Sequence, residues 1–545
     1  MIRLTQVTIG VSHREEALKA KCCTLLKIKP EQINALHIVK RSIDARKKPD
    51  ILYSYVIDVD VINEEQVLKK SKCKQASIVE KKVYQFPFTA SKEENKRIII
   101  VGSGPAGLFG GYYLAMHGYM PIVLERGEDI DARTKTVEHF WETGELNLES
   151  NVQFGEGGAG TFSDGKLNTL VKDKDGKNHA VLKTFVEHGA DEEILYDNKP
   201  HIGTDVLTDV IRSMRNTLIM HGGSVQFKTK VASLVLEDDQ VKGVVLSDGR
   251  KLEADYVVLA LGHSARDTFE ELYEQGIPIE AKEFAVGFRV EHPQSLINHS
   301  QYGVELHEVL EAAPYKVVAK TSTGRGAYSF CMCPGGYVVN ASSELHKTAV
   351  NGMSYSKRDG DNANSAIIVS VTKEDFGSDH PLAGIAFQRE LEERTYQLGA
   401  GEVPVQSYGD FKKSLVEHGN IDMKYLDTNK TSFGESFIPN IKGKYVCADL
   451  TNILTDTMNQ AFVEGMEHFG KLIPGFNANG VWLDGVESRT SSPIRIPRDA
   501  QLESQIKGLY PCGEGAGYAG GITSAAMDGI RVAEEIARSL EEEKA

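Results

Sequence analysis

Three stretches of this chain set glycines at the spacing G-x-G-x-x-G: Gly102/Gly104/Gly107, Gly155/Gly157/Gly160 and Gly515/Gly517/Gly520. Glycines so placed let a backbone turn tightly and approach a pyrophosphate, whose charge is met by the N–H groups that open a helix. A second phosphate pattern overlaps the middle stretch. Gly160 to Lys166 reads G-T-F-S-D-G-K, a triphosphate loop G-x-x-x-x-G-K in which Leu167 stands where a Mg²⁺-binding hydroxyl is needed. That substitution excludes triphosphate chemistry.

The elements around each stretch separate the three. Four consecutive apolar residues, Ile98–Val101, suit a strand buried on both faces and lead into the first stretch. Pro105 suits an early helical position, and Glu125 closes a second strand, Ile122–Leu124, 23 residues after Gly102. A carboxylate there accepts hydrogen bonds from both ribose hydroxyls of an adenosine without a 2′-phosphate. The first stretch is therefore a dinucleotide fingerprint. The third has a strand before it and a helix after it, with Ala526, Ile530, Ala533, Ala537 and Leu540 on the buried face. No further strand or acid follows, so it aims a helix N-terminus at a ligand without forming a second fingerprint. The middle stretch has neither flank and is predicted to be a loop whose backbone passes close to a ligand.

Bulk properties narrow the class. The chain has 545 residues, 41% hydrophobic and 26% charged, and no apolar run near the ~18 residues of a membrane helix. The N-terminus lacks a basic segment followed by an apolar one, and seven cysteines show no framework spacing. These features predict a cytoplasmic protein without a membrane span. The net charge of −15 hides an asymmetry: residues 1–90 hold 17 Lys and Arg against 10 Asp and Glu, a net of +7. A solvated basic face accounts for this; the alternative is a docking module for RNA or an acidic partner.

Residues 1–90 read as a small α+β unit of ferredoxin-like type in the order β-α-β-β-α, with the polar segment 91–96 as linker. Residues 97–265 hold the βαβ fingerprint, a long amphipathic helix at Asp205–His221, and three or four short strands predicted as a meander running back into the main sheet. Residues 266–487 alternate strands and helices as an inserted α+β substrate domain, and 488–545 return to strand, glycine turn and helix. The predicted fold is α/β, a Rossmann-type nucleotide domain interrupted by a cap.

Taken together, the fingerprint, the strand Asp255–Gly262 and G508-L-Y-P-C-G-E514 resemble FAD-dependent oxidoreductases of the glutathione reductase superfamily, with a closing motif like that of fumarate reductases and aspartate oxidases. The phrases GEGGAGTFSDGKL, KPHIGTD, GHSARDT, YSFCMCPGG and GYAGGITSAAMDGIR are similar to those of a functionally unassigned family of bacterial FAD-dependent dehydrogenases. The resemblance implies FAD contacts at Gly102, Ser103, Gly104, Pro105, Ala106 and Gly107, and at Glu125 and Arg126 after the second strand. It implies others at Gly157, Gly158, Thr161, Ser163, Gly165, Lys166 and Leu167 in the loop, and at Val231 and Ala260, Leu261 and Gly262 on the central strands. At the C-terminal turn it implies Gly513, Glu514, Gly520, Gly521 and Ile522, with Glu514 on the ribitol.

FAD passes a hydride or single electrons, so the chain supplies position and protons. The absence of a second fingerprint leaves NAD(P)H, if used, to bind transiently over the flavin. Candidates around a small-molecule substrate are His263 and Arg266, which follow the strand end at Gly262, then His201, Arg289, His292 and Arg325. Arginine would hold a carboxylate and histidine a proton. Cys331 and Cys333 alternate along a strand, which points them apart, and lack neighbours at zinc spacing; both are read as packing residues, as is Cys512. No metal site is predicted. The function read from these features is an FAD-dependent oxidoreductase, reductase or dehydrogenase. The alternatives are a flavin monooxygenase, an RNA-associated flavoprotein, and a flavin-bound regulator without turnover.

Overall fold

A computed structural model describes all residues except 81–82, 92–94, 427–432, 434–436 and 544–545. The middle of the linker 91–96 therefore lies outside the described residues.

The N-terminal unit comprises β1 (Ile2–Gly10), α1 (Glu15–Leu26), β2 (Ile33–Asp44), β3 (Leu52–Val61), α2 (Glu64–Ser71) and β4 (Ala76–Ile78). Its antiparallel sheet has the order β2-β3-β1-β4, a ferredoxin-like arrangement. The three-residue β4 escaped the sequence reading because ASI is too short to show a period. Alternate residues Ile2 and Leu4 of β1 and Ile57, Val59 and Val61 of β3 bury one face against both helices.

The nucleotide-binding half is built on β5 (Ile98–Val101), α3 (Pro105–Met116), β6 (Ile122–Leu124), α4 (Ile130–Thr143), α5 (Lys177–Glu187), α6 (Thr204–Met220) and β7 (Ser224–Gln226). Then come β8 (Val231–Glu237), β9 (Gln240–Leu246), β10 (Lys251–Glu253) and β11 (Tyr256–Leu259). The main sheet is wholly parallel, in the order Leu509–Pro511, β11, β5, β6, β7. The expected meander is divided. The stretch SVQ joins the main sheet as β7, β8 to β10 form a separate antiparallel sheet, and β11 returns. Hydrophobic pattern alone cannot separate these, because each is a short β-branched run.

The C-terminal helix Ile522–Glu542 lies against α3. A Cβ on Gly529 would stand 2.1 Å from the Ala106 carbonyl oxygen, so only glycine permits this approach. Backbone contact thus packs the first turns of α3 against the third turn of the C-terminal helix.

The inserted cap holds a seven-stranded sheet in the order Val318–Lys320, Gly326–Cys333, Asn362–Val371, Phe284–Pro293, Trp482–Glu487, Val403–Ser407, Tyr445–Cys447. Its core packs Val286, Phe288 and Val290 against Phe462, Met466 and Phe469 of the helix Asp456–Leu472. The opposite face carries Arg289 and Glu291, two residues apart on one strand and both fully buried. Among the described residues no helix is long and apolar enough to cross a membrane.

Candidate functional site

The first glycine turn is sterically determined. Gly102 has φ +105° and a Cβ there would stand 2.5 Å from the Ala260 carbonyl oxygen; on Gly107 it would stand 1.9 Å from that of Gly102. Gly104 differs. Its nearest neighbour would be 3.8 Å away, and it opens α3 without a side-chain cap, leaving the helix N–H groups free for a ligand. Ala106 and Pro105 form the first turn behind it.

Glu125 is buried and accepts from the Ser103 N–H (2.9 Å) and hydroxyl (2.8 Å) and from the Gly127 and Gly155 N–H groups (3.0 Å each). The carboxylate expected on a ribose thus also welds the first turn to the middle loop. A ribose hydroxyl would compete with Ser103 Oγ, the one mobile donor of the four. Arg126 beside it pairs with Glu149 and Asp267 and covers the Phe154 ring at 4.1 Å. Val231 is buried behind this end of the sheet, packed with Leu124 and Val101.

The middle loop is buried and passes across the first turn: the Gly157 N–H donates to the Ser103 carbonyl (3.0 Å), and Gly158 lies over Gly104. What shapes it is a residue the sequence reading missed, Arg133 of α4. Its guanidinium, wholly buried, donates to the carbonyls of Asn151, Val152, Gly155, Glu156 and Gly158. Burial lowers its pKa to about 10, opposed by the charges of Glu125 and Glu156. Nothing in the local pattern of α4 distinguishes Arg133 from a surface arginine. The loop hydroxyls serve the loop itself: Thr161 donates to the Glu156 carbonyl (3.3 Å) and Ser163 to that of Gly160 (2.6 Å). Past Gly165, Lys166 pairs with buried Asp164 (3.0 Å), and the Leu167 carbonyl accepts from Thr523 in the first turn of the C-terminal helix (2.8 Å).

The third stretch closes the groove. The Gly515 N–H donates to the Leu261 carbonyl (3.0 Å) and the Gly513 N–H to Asp528 (2.8 Å), itself held by Arg498. Gly262, Gly520 and Gly521 would each present a Cβ to empty space, with nothing within 4 Å. Gly521 caps the C-terminal helix without a side-chain bond, and Ile522 begins it beside Gly160. The result is a groove of bare backbone with two uncapped helix N-termini and a carboxylate, Glu514, along it. These features fit FAD: amide donors for the pyrophosphate, open backbone for a flat ring, and an acceptor for ribitol hydroxyls.

The substrate candidates separate. His263 follows Gly262; Nδ1 lies 3.1 Å from Glu514, and buried Nε2 has no partner among the described residues. His263 also feels Glu487, whose carboxyl is pushed up by burial against the pull of Arg289 and His263. Arg289 donates to Glu487 (2.8 Å), the Cys331 carbonyl (2.8 Å), Asn351 and Asn364. His201 bonds the Ser356 carbonyl through Nε2 (3.1 Å), its pKa lowered by burial and Arg358.

Others are drawn away. Arg266 is fully buried with its guanidinium divided among Glu344, Glu392 and Gln388. Arg325 pairs with Asp375 and the Ser370 carbonyl at the hairpin on the sheet edge. His292 is sealed in the cap core on the Phe476 carbonyl. Each lies near a strand end or turn in sequence, but pairing decides where its polar atoms go.

Cys331 and Cys333 also depart from expectation. Pairing slips between Phe330 and Cys333, and Cys331 takes φ +41°, so the alternation assumed for a regular strand does not apply. Cys333 is buried, whereas Cys331 is reached by solvent while burial pushes its thiol up to about 12. Cys512 is buried beneath the third stretch, and none of the cysteines is bridged. Among the described residues no cluster of His, Cys, Asp and Glu is placed to hold a metal.

Residues 95–348 match the model for an FAD binding domain and residues 283–490 that for an FAD-dependent protein, C-terminal domain-like; residues 1–60 match a domain of unknown function, DUF8436. An uncharacterized protein of Clostridium beijerinckii is 45% identical over 540 residues, covering 98% of each chain. The chain belongs to the family of that protein. Its Rossmann-type groove is an FAD-binding one on the domain match. The chain is also similar to thiamine thiazole synthase of Pyrococcus furiosus, 24% identical over 185 residues, 31% of this chain and 59% of that one. Solved structures of tetracycline destructase Tet(51) and of L-proline dehydrogenase from P. horikoshii are 11% and 12% identical, with TM-scores of 0.33 and 0.34. They cover 83% and 82% of this chain and 83% and 94% of their own. Likeness at that level carries nothing about the reaction.

Proposed function

We propose that this protein is an FAD-dependent oxidoreductase, a reductase or dehydrogenase acting on a small molecule. The observation that carries the reading is the convergence of three distant glycine segments on one backbone-lined groove, inside a chain matched to an FAD binding domain. When bound, FAD supplies hydride or one-electron chemistry. The free amides of α3 would hold the pyrophosphate, and Glu514 the ribitol. The N-terminus of the C-terminal helix would place its partial positive charge at the electron-rich edge of the ring.

Proton supply falls to His263 and Glu487. His263 Nε2 is a buried atom without a hydrogen-bond partner among the described residues, and Glu487 keeps one oxygen free of Arg289. A carboxyl pushed up by burial holds a proton nearer neutral pH than an exposed one does. Arg289 positions both Glu487 and the Cys331 carbonyl and touches the reaction only through them. NAD(P)H has no second fingerprint here and would dock transiently over the same groove.

The test is spectroscopic first. Purified protein is expected to absorb near ~450 nm and to be bleached by a hydride donor under anaerobic conditions, with colour returning on addition of the true acceptor. A colourless protein that takes up no FAD on reconstitution overturns the reading. A Glu487→Gln variant should retain FAD, bind substrate normally and lose turnover by about 10²-fold.

A further inference from the structure

Beyond the flavin groove, a second set of side chains gathers at its rim. Lys166 and His201 form an isolated antiparallel bridge, flanked by hydrogen bonds from the Leu167 N–H to the Pro200 carbonyl and from the Ile202 N–H to that of Gly165. Paired residues in such a bridge point to the same side. Gly165 turns the chain with φ +67°, so that Lys166 folds back onto Asp164 (3.0 Å); His201 lies close enough to act on Asp164, and Lys199 close enough to feel Lys166. From the cap, Arg358 reaches the same place and grips Asp164 with two bonds, 2.9 and 2.5 Å.

The charges there do not balance. Asp164 is the buried anion, fully used by Arg358 and Lys166. Glu311 approaches Arg358 at 3.8 Å and His201 at 4.0 Å but is mostly exposed, where such contacts are weak. Lys199 has no carboxylate or hydrogen-bond partner among the described residues, although Arg358, Lys166 and Lys316 are near enough to repel its charge. Solvent reaches it, yet burial is the larger influence on it, as on Cys331, which also feels Lys166. Three cations are thus brought together around one buried, committed carboxylate, Asp164, with only the exposed Glu311 as a second anion. Like charges are not gathered in a partly desolvated place without something to neutralise them.

We propose that Lys199, Lys166 and Arg358 form a binding site for an oxyanion group of the substrate, a carboxylate or a phosphate. The site stands one residue from the flavin groove, since Leu167 is tied to the first turn of the C-terminal helix. Arg358, committed to Asp164, orients that carboxylate and raises the local potential; Lys199 and Lys166 supply mobile donors. This inference rests on the oxidoreductase reading and names its substrate class: a small molecule with an anionic handle that fixes its reactive end over the flavin.

The experiment is calorimetric titration of the full-length, FAD-loaded protein with inorganic phosphate and, separately, acetate, at low ionic strength and pH 7. One saturable equivalent of one or both anions is expected, weakening about tenfold in Lys199→Gln and falling further with added NaCl. The tighter anion identifies the handle. Lys316→Gln, on an exposed side chain of the same region, should change affinity much less. Absence of saturable binding for both anions, or unchanged affinity in Lys199→Gln, overturns the site. Lys199 is solvent-accessible, so loss of folding does not confound the variant. Flavin absorbance of the same sample separates the two claims. A yellow protein indifferent to both anions sinks this inference alone, and a colourless one sinks the oxidoreductase reading whatever the calorimeter records.

Discussion

Two buried arginines, one in each half of the molecule's interior, are held in opposite ways. Arg133 lies under the glycine-rich loop with five backbone carbonyls around its guanidinium and no carboxylate bonded to it among the described residues. Arg266 lies at the junction with the cap, its charge met by Glu392, which also takes Arg489 and the Ser488 hydroxyl. Burial lowers the pKa of the first to about 10; in the second, carboxylates outweigh burial and raise it. The difference reflects purpose. Carbonyl dipoles are distributed along a loop, so a cation that gathers them sets backbone shape. A shared carboxylate bolts three elements together at a point: α7 (Arg266–Glu274), the helix Ala383–Gly399 and the segment after Trp482–Glu487. His292 shows a third solution, in which the buried group is kept neutral.

Breaking the charge cluster should have the largest effect. Glu392→Gln leaves Arg266 and Arg489 facing each other in a dry interface and is expected to destabilise by about 3–5 kcal/mol, read from the denaturant midpoint. FAD should stay bound under native conditions, because the loop is untouched.

His292 tests the neutral solution. Its folded pKa is lowered from 6.5 to about 4 by burial, so the native state refuses a proton that the unfolded chain accepts below 6.5. Its contribution is therefore full above pH 6.5 and is lost as pH falls toward 4, by about 3 kcal/mol in all. A His292→Gln variant should flatten that part of the stability profile. An unchanged slope between pH 6.5 and 4 would remove His292 as the cause. The neighbouring Glu291, raised to about 7 by burial, has the opposite sign: its contribution declines as pH rises from about 4.5 to 7. The Glu291→Gln and His292→Gln profiles should accordingly tilt in opposite directions.

Arg133→Lys sharpens the contrast most directly. The charge remains but the planar fork is lost, so an expected stability loss of about 2 kcal/mol should come with FAD affinity at least about tenfold weaker. Equal FAD retention in Arg133→Lys and wild type would show that the carbonyl clamp does not shape the groove. The smallest effect is expected at the sheet edge. Arg325→Lys keeps a part-exposed pair with Asp375 and should shift stability by less than about 1 kcal/mol with no change in flavin content.

The fold was legible where burial imposes a period. Ile98–Val101, the alternation of Ile2 to Gly10 and the three- and four-residue steps of the C-terminal helix all read directly, because one buried face constrains each residue in turn. The glycine-rich loop was legible as a loop, since no strand or apolar helical period adjoins Gly155–Gly160; the single 3-10 turn Ala159–Phe162 is too short to show in the pattern. Its burial and its anchor were not: Arg133 lies outside the glycine stretch and acts through carbonyls, which leave no trace in side-chain spacing. Arg266, Arg325 and His292 show the reverse failure. Each has a residue type fit for catalysis, but hydrogen-bond partners from distant segments claimed their polar atoms.

By itself, then, the sequence determined where the backbone must turn tightly and which faces must be dry, because glycine stereochemistry and hydrophobic periodicity are local properties. It also excluded the triphosphate loop through Leu167. Only the tertiary structure decided which charges meet. Arg133 gathers the loop, Glu392 balances two arginines, and Lys199 is left among cations beside Lys166 and Arg358, because electrostatic partnership joins segments hundreds of residues apart in the chain, as Lys177 joins Glu534.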